Sequence, residues 1–387
     1  MTSHERVKLA LEHKEPDRVP FDIGGTSVTQ ININALRNLR RHVGLSEDVD
    51  IQDTICQTGV VTDDIVELLS IDVRPVFPNP ASVPSKNIKS VWEEADCHKL
   101  IDEFGIGWKM PKKVGHFFDI YKSPFGQFEE PEEVLSYPWP DGLDDGRFVG
   151  MKERADKIVF NDKRAYVLER MSAGMWETAM WMTGYEKFYC DMVLNPELIE
   201  AIMDKMIEVK MNYWGKALDN MGENALVISE ADDLGTQNGL VCSLELYKKL
   251  IWPYHKKLFE FIKKRAKSKV YIFFHCDGSC FEAIPLLIEA GVDILNPVQV
   301  NCRGMDTKHI KREFGKDLSF WGALCDSQSV LPYGSVEQVK EETKRRVEDC
   351  MKGGGFIAAP IHNILGEVPP ENIMAMWETL NEYGKYS

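Results

Sequence analysis

Apolar residues in the second half of the chain come in short runs, and longer amphipathic stretches separate them. Each run has the length and the β-branched or aromatic content of a strand, and the stretches between the runs have the apolar spacing of helices. Near-continuous apolar strands that alternate with helices predict a parallel sheet that is covered on both faces. The predicted strands are residues 165–171, 225–230, 270–275, 292–298, 318–324 and 356–361.

Two weaker apolar runs, at residues 18–23 and 71–77, complete the set. The strong and weak runs together predict an α/β fold of the (β/α)₈ or TIM-barrel class rather than an open sheet. No glycine-rich G-x-G-x-x-G sequence follows a predicted strand, which argues against a dinucleotide-binding fold. A capping-box pattern from Thr2 to Glu5 predicts an N-terminal helical extension before the barrel.

Residues 78–150 interrupt this rhythm with many proline, glycine and aromatic residues. We expect an inserted hairpin and loop region that packs over one end of the barrel, with the hairpin at residues 102–121. The segment does not have the composition of a flexible linker. Residues 1–387 are therefore predicted to form one domain.

The charge balance limits the possible partners. The formal net charge is −15, and no stretch is rich in lysine and arginine beyond short helical faces, which argues against binding to nucleic acid or to an anionic membrane surface. No apolar run is long enough to span a bilayer, the first residues do not have the apolar core of a signal peptide, and the nine cysteines have no paired spacing. We expect a soluble cytoplasmic protein with reduced thiols.

The strand at residues 270–275 ends in a group of residues that can bind a metal ion or a proton. His275 is its last residue and Asp277 follows two positions later, so strand alternation places both side chains on one side. His362 follows the last predicted strand in the same way, and the carboxyl ends of barrel strands share one mouth. Two imidazoles and one carboxylate suit Zn²⁺. Alternatively, each histidine is only a polar residue that ends a strand.

Other acids and thiols also lie at strand ends. Glu230, Asp232 and Asp233 close the strand at 225–230. Glu230 is a candidate metal ligand or general acid, whereas Asp233 is expected to hold its loop. Cys276 and Cys325 are alternative zinc ligands if the strand twist turns them inward, and otherwise they are small buried residues.

Residues 170–188 are rich in methionine and tryptophan and directly follow a predicted strand. Such a segment is usually core, but at a barrel mouth it could form an apolar wall for an aromatic ligand. Polar residues after later strands are candidates for hydrogen bonds to the substrate. The candidate substrate-binding residues are Met171, Met175, Trp176, Gln299 and Asp326.

Five segments of the chain carry a family resemblance: residues 6–20, 232–247, 291–299, 320–334 and 369–376. Together they resemble the uroporphyrinogen decarboxylase superfamily. The resemblance implies a (β/α)₈ barrel over almost the whole chain. The superfamily contains true decarboxylases and zinc-dependent methyltransferases that work with corrinoids, so the resemblance alone does not decide the activity.

The true decarboxylases carry an arginine-rich motif near the N-terminus that binds the propionates of a tetrapyrrole. The matching segment here, residues 19–27, has no arginine between Asp22 and Ser27. The decarboxylases also have an aspartate after the next strand, where this chain reads VRPVFPNP at residues 73–80. An acidic chain without these arginines is poorly suited to a polycarboxylate, so porphyrinogen decarboxylation is disfavoured.

The methyltransferases bind zinc through a His-x-Cys sequence and a later cysteine. Here His275 matches the histidine, Asp277 stands at the first cysteine position and His362 at the second. These harder ligands put a thiol-methylating activity in doubt. The loops at residues 234–237 and 296–299 most resemble family members of corrinoid-dependent O-demethylase systems.

The resemblance therefore implies a methyltransferase that cleaves a methyl ether, foremost that of a methoxylated aromatic. It would transfer the methyl group to the Co(I) corrinoid (a cobalamin) of a partner protein, with Zn²⁺ as Lewis acid. Glu230, His275 and His362 are the candidate catalytic residues. A methylamine or a betaine is also conceivable as the methyl donor. The alternatives are a porphyrinogen-type decarboxylase or lyase, and a non-catalytic barrel that binds a tetrapyrrole or a corrinoid.

Overall fold

Seven parallel strands form one curved sheet in the middle of the molecule, in the order β14-β13-β12-β11-β10-β9-β4 as defined below. The computed structural model describes residues 1–83, 85 and 87–386. All six strong strand predictions and the weaker one at 71–77 are confirmed within a few residues. The strands are β1 Ile31–Asn32, β2 Ile51–Asp53, β3 Thr58–Gly59, β4 Val73–Val76, β5 Lys89–Glu94, β6 Cys97–Ile101, β7 Gly107–Pro111, β8 Asp119–Lys122, β9 Ala165–Leu168, β10 Val227–Ala231, β11 Tyr271–His275, β12 Ile294–Asn296, β13 Ser319–Ala323 and β14 Phe356–Ala359.

The remaining weak prediction, at residues 18–23, corresponds to a short closing segment and not to a regular strand. Phe21 forms a parallel bridge with Ala358 of β14. The carbonyl of Phe21 accepts a hydrogen bond of 2.8 Å from the amide of Asp72, which directly precedes β4. The closing segment is therefore bonded to both edges of the sheet. The predicted (β/α)₈ barrel is confirmed, with this segment in the place of an eighth strand.

One buried carboxylate holds the closing segment in place. The side chain of Asp72 is fully buried and accepts hydrogen bonds from Arg6 (2.7 Å), Arg18 (2.7 Å) and the backbone amide of Phe21 (2.8 Å). Charge-assisted bonds of this kind offset the cost of removing the carboxylate from water. Asp72 thus joins the N-terminal helix, the closing segment and β4.

Helices cover the outside of the sheet, and the N-terminal helix covers its lower end. The predicted capping box is present, because the side chain of Thr2 accepts from the Glu5 amide and Glu5 accepts from the Thr2 amide. No helix in the described residues has the length and apolar character needed to cross a membrane. The helices are α1 Ser3–Leu11, α2 Ile33–His42, α3 Asp63–Leu68, α4 Pro131–Ser136, α5 Met151–Asp156, α6 Met175–Thr183, α7 Tyr185–Leu194, α8 Pro196–Met221, α9 Leu244–Leu250, α10 Trp252–Arg265, α11 Ile284–Ala290, α12 Thr307–Phe314, α13 Val330–Tyr333, α14 Val336–Cys350 and α15 Pro370–Tyr383.

The barrel interior is filled by side chains that alternate along the strands. Trp321 lies at its centre, and its indole N–H donates a bond of 2.8 Å to Asp22 of the closing segment. Burial raises the pKa of Asp22 to about 7. The interior is therefore a packed core and not a channel. Its strand residues are Val73, Ala165, Val167, Val227, Tyr271, Phe273, Ile294, Trp321, Ile357 and Ala359.

The predicted insertion contains a four-stranded antiparallel sheet in the order β5-β6-β7-β8. The hairpin expected at 102–121 corresponds to β7 and β8, whereas β5 and β6 were not predicted. Most side chains of β5 are exposed on both faces, so its sequence has no alternating apolar pattern. Pro84 and Lys86 of the insertion lie outside the described residues.

Replacing Asp72 with asparagine is expected to destabilise the fold strongly. The change leaves Arg18 without a charged partner and Arg6 with Asp17 alone, around a buried site, so the free energy of unfolding should fall by about 3 kcal/mol. Urea denaturation followed by circular dichroism measures this. Asp219→Asn is the matched control, because Asp219 and its partner Arg265 are both about half exposed and their pair should contribute little to stability. Equal losses in the two variants would contradict the closing role of Asp72.

Candidate functional site

Two histidines and an aspartate meet at the carboxyl ends of β11 and β14. The possible ligand atoms of His275, Asp277 and His362 all lie within 4.8 Å of one another. Asp277 stands between the imidazoles, with Oδ1 at 3.9 Å from Nε2 of His275 and Oδ2 at 3.8 Å from Nε2 of His362. We call these three residues the mouth cluster. Strand alternation predicted this juxtaposition, and their role as ligands stays a prediction.

A hydrogen-bonded chain fixes the ring of His275. The Asn296 amide N–H₂ donates to the carbonyl of Trp321 at 2.7 Å, so the amide oxygen of Asn296 faces Nδ1 of His275 at 2.6 Å. Since that oxygen only accepts, Nδ1 carries the proton and Nε2 presents its lone pair to the cluster. Burial lowers the pKa of His275, against the opposite effect of Asp277. Desolvation lowers the pKa of His362 as well.

Asp233 adds a second carboxylate beside Asp277. Its Oδ1 accepts a bond of 2.7 Å from the backbone amide of Asp277 and lies 3.9 Å from Nε2 of His275. Asp233 thus holds the loop that carries Asp277, whereas it was expected to hold its own loop. Desolvation raises the pKa of Asp233 to about 7, and the charge of Asp277 adds to the shift. Two adjacent acids in a poorly solvated place favour a cation or a proton between them.

Glu177 is a third nearby acid that the sequence analysis missed. It lies in the first turn of α6, where it is the only charged residue of the helix. Burial raises its pKa well above the ordinary value, and the charges of Asp233 and Asp232 raise it further. A single acid within an otherwise apolar helix that starts at a strand end was the available signal.

Asp232 fixes the start of α6 and therefore the position of Glu177. Its carboxylate accepts the backbone amides of Trp176 (3.1 Å) and Glu177 (2.8 Å), which are unpaired donors at the helix start. The same carboxylate contacts Nε2 of His255 at 2.6 Å. Gly174 makes the approach possible, because a Cβ there would lie 1.8 Å from the carbonyl of Ala231.

The loops after β10 and β11 pack backbone against backbone at two glycines. A Cβ on Gly278 would lie 2.5 Å from the carbonyl of Gly235, and a Cβ on Gly235 would lie 2.6 Å from the amide of Ser279. The Ser279 amide also donates to the Thr236 carbonyl at 2.7 Å. These loops, which carry Asp233 and Asp277, are therefore tied to each other.

Glu230 lies outside the mouth cluster, which corrects its prediction as a ligand or general acid. Val227 faces the barrel interior, and alternation turns Glu230 outward towards α8. There its carboxylate contacts the ammonium of Lys210 (3.0 Å) and the indole N–H of Trp214 (2.6 Å). All three side chains are buried, so Glu230 stabilises the contact between strand and helix.

The alternative thiol ligands also point away from the mouth cluster. The sulfur of Cys276 accepts from the amide of Leu234 at 3.3 Å, and the Cys325 thiol donates to Glu342 at 3.7 Å. Both thiols are buried, and burial raises the pKa of each. The structure therefore does not bring either cysteine to the histidines.

Of the three predicted apolar substrate residues, only Met171 borders open space. Met175 and Trp176 are fully buried, and Trp176 packs edge-on against Phe188 at 5.5 Å between ring centres. They form the packed side of α6, which corrects their assignment to a substrate wall. The apolar pattern could not separate these two roles, because core and wall have the same composition.

The two predicted polar residues serve the loops around the mouth. Gln299 accepts a bond of 2.6 Å from the Gly278 amide and so supports the loop that follows Asp277. Asp326 accepts from the Gln328 amide (2.8 Å) and the Ser329 hydroxyl (2.6 Å). These contacts are internal to the protein.

A cavity of about 1080 Å³ lies between the barrel mouth and the insertion. Its barrel side includes Ser27, Gln30 and Met171, and its other side includes residues 88–91 of the insertion. Gln30 donates its backbone amide to the side chain of Asn363, the residue after His362, at 2.7 Å. Gln30 thus joins the cavity wall to the loop that carries His362, whereas the three cluster side chains are not among the described residues that line the cavity. Its volume suits a small-molecule ligand.

The mouth cluster fits a divalent metal ion. One carboxylate oxygen of Asp277 is buried without a hydrogen-bond partner in the described residues, which is costly unless a cation or ligand completes it. The donor set of two imidazole nitrogens and carboxylate oxygens suits zinc and similar ions. Asn296 supplies the outer hydrogen bond that such histidine ligands usually have.

Comparison with known proteins supports the fold and gives the family. The model of the uroporphyrinogen decarboxylase (URO-D) family matches residues 164–383. A uroporphyrinogen decarboxylase of Geobacter metallireducens is 26% identical over 221 residues, which are 56% of this chain and 56% of that protein. The match thus spans about half the length of the curated relative.

A solved structure shows the same fold over the full length. A methyltransferase from Methanosarcina mazei superimposes with a TM-score of 0.67 over 99% of both chains, at 17% sequence identity. At this identity the likeness concerns the fold alone. The family match covers more than half of the chain and agrees with the barrel and its mouth. The chain belongs to the uroporphyrinogen decarboxylase family.

Proposed function

We propose that this protein is a methyltransferase that removes the methyl group of a small-molecule methyl ether and delivers it to the corrinoid of a partner protein. The observation that carries the proposal is the mouth cluster, where ligand atoms of two histidines and an aspartate lie within 4.8 Å. A methyltransferase with the same fold over its whole length is consistent with it. A methoxylated aromatic is the foremost methyl donor.

His275, Asp277 and His362 would hold the zinc ion, with Asp233 as a neighbouring carboxylate. A zinc ion bound there would supply a Lewis acid that stabilises the negative charge developing on the ether oxygen. Asn296 keeps Nε2 of His275 free of a proton and directed at the cluster. Asp232 accepts the backbone amide of Glu177 and so holds the start of α6, which keeps Glu177 close to Asp233.

The methyl acceptor has to come from another molecule. Cys276 and Cys325, which follow β11 and β13, are buried away from the cluster, and their raised pKa makes them poor nucleophiles. The corrinoid partner would dock on the rim of loops at the carboxyl ends of the strands. The cavity is large enough for an aromatic substrate, and Gln30 on its wall is hydrogen-bonded to the residue that follows His362.

Porphyrinogen decarboxylation is the second candidate, because the curated relative has that activity in its name. Two features disfavour it. Residues 19–27, which match the arginine-rich motif of the decarboxylases, contain no arginine. The one acid there, Asp22, is buried in the barrel and bonded to Trp321 and Thr29, where it does not face the cavity.

Zinc binding tests the ligand assignment. His275→Ala and His362→Ala should each reduce zinc affinity by about 100-fold or more, because a direct ligand matters more than an outer partner. Asn296→Leu should cost about 10- to 100-fold through the loss of ring orientation. Metal analysis and competition with a chromophoric chelator measure these affinities, and circular dichroism checks folding.

Cys276→Ala is the control, since its sulfur points away from the cluster, and it should retain zinc while Asp277→Ala does not. Unchanged zinc content in both histidine variants would exclude the mouth cluster as the metal site. A greater loss in Cys276→Ala than in Asp277→Ala would show that thiolates bind the ion.

Methyl transfer tests the activity. The zinc-loaded protein, a corrinoid protein reduced to Co(I) and a panel of methoxylated aromatics should together give the corrinoid absorption change that accompanies methylation. Omitting this protein should abolish the change, and His362→Ala should reduce its rate by about 100-fold or more, the scale on which single catalytic groups act.

Two results would contradict this activity. One is ether cleavage with water or a simple thiol as acceptor and no corrinoid present. The other is decarboxylation of uroporphyrinogen at a rate that Asp277→Ala leaves unchanged, since that would establish the second candidate without the cluster.

A further inference from the structure

Arg170 has a buried nitrogen that lacks a hydrogen-bond partner. Its side chain is only 9% exposed and follows the end of β9. Both hydrogen bonds of its guanidinium come from Nη1, to the hydroxyl of Ser229 at 2.6 Å and to Glu169 at 3.5 Å. Nε is buried and has no partner among the described residues. Buried donors are rarely left unpaired, and a charged one is especially costly, so the site calls for an acceptor.

The position of Arg170 relates it to both the cavity and the mouth cluster. Ser229 lies on the interior face of β10 and pairs with Phe273, two residues before His275 on β11. Because Nη1 bonds the Ser229 hydroxyl at 2.6 Å, the guanidinium lies on the amino-terminal side of His275 along the sheet. Met171, the next residue, lines the cavity.

Glu169 does not supply the missing hydrogen-bond acceptor for Nε of Arg170. Its carboxylate accepts the backbone amide of Ser27 at 2.8 Å and the Ser27 hydroxyl at 3.1 Å, and it reaches Arg170 only at 3.5 Å. Ser27 also lines the cavity. The pair of Glu169 and Arg170 thus lies at the cavity edge, with the Nε side of the guanidinium unused.

The arginines that line the cavity itself are engaged by the protein. Arg147 binds the carboxylate of Glu103 at 2.5 Å, and Arg74 donates to the carbonyl of Val61 at 2.8 Å. Arg154 donates to the carbonyl of Phe77 at 3.0 Å. Among the arginines that the structure describes, a buried nitrogen without a partner occurs at Arg170 alone.

We propose that Arg170 binds a carboxylate group of the methyl donor, so that the donor is a methoxylated aromatic acid. A carboxylate matches the side edge of a guanidinium, where Nε and one Nη donate in parallel to its two oxygens. Because Nη1 is occupied, the Nε and Nη2 edge is the one that binds. This inference rests on the proposed methyl-ether cleavage for the nature of the other end of the substrate.

Arg170 also orients such a donor. Its guanidinium lies beside Ser229, on the amino-terminal side of the mouth cluster. A carboxylate held there leaves the methoxy group at the opposite end of the ring, free to face the cluster. Arg170 in this role is a residue that determines specificity.

Binding of 4-methoxybenzoate and of its neutral counterpart 4-methoxybenzamide tests the proposal. Isothermal titration calorimetry on the full chain with zinc, and without any corrinoid, should show that the acid binds at least about 10-fold more tightly than the amide. Arg170→Gln should weaken binding of the acid by about 10- to 100-fold and leave the amide almost unchanged. Arg170→Lys keeps the charge but not the parallel geometry, so it should give an intermediate loss.

Arg154→Gln is the matched control, because that side chain lines the cavity but is bound to backbone carbonyls. It should change the affinity of neither compound. Equal affinity of the unmodified protein for acid and amide overturns the proposal. This comparison uses the unmodified protein alone and does not depend on whether a variant folds. Acid binding that survives in Arg170→Gln, or equal losses for acid and amide, overturns it as well. Absence of methyl transfer would leave these binding results intact, so the two proposals fail separately.

Discussion

The buried carboxylate of Asp72 is the contact on which the geometry of the site depends. It joins α1, the closing segment and β4, and the closing segment is the only connection between β4 and β14 in the described part of the sheet. Closure makes the carboxyl ends of the strands converge on one mouth. His275 after β11 and His362 after β14 are close because the sheet is closed, and an open sheet would hold them apart. A charge interaction at one end of the barrel thus determines a distance at the other end.

The sequence predicted the parts of the site that depend on local periodicity. Apolar runs located the strands, and the two-residue repeat placed His275 and Asp277 on one side. The same repeat could not decide the direction of Glu230, because β10 is buried on both faces and its sequence VISEA has no alternation of polar and apolar residues. Only the partners on α8, Lys210 and Trp214, reveal that Glu230 faces outward. The sequence of a strand that is buried on both faces therefore predicts where the strand lies but not which of its side chains face inward.

The residues that were missed owe their positions to contacts between distant segments. Glu177 is placed by Asp232, some 55 residues further along the chain, which holds the start of α6. Arg170 matters because its Nε is left without a partner, and a missing contact has no trace in a sequence. The strands β5 and β6 escaped for another reason. They are paired with each other, β5 is largely exposed and most of β6 is only partly buried, so the hydrophobic effect, which produces the pattern elsewhere, contributes less to them.

The contact between Gly235 and Gly278 divides the mouth into a fixed side and a variable side. Two loops whose backbones touch cannot change length or move independently. A side chain larger than glycine at either position would clash with the backbone of the other loop, so neither glycine can be replaced without moving both loops. The loops that carry Asp233 and Asp277 are therefore expected to keep their length and conformation. The opposite side is built from the insertion, whose strands pair with one another and form one wall of the cavity. Changes that adapt the cavity to a different ligand should therefore be concentrated in residues 78–150.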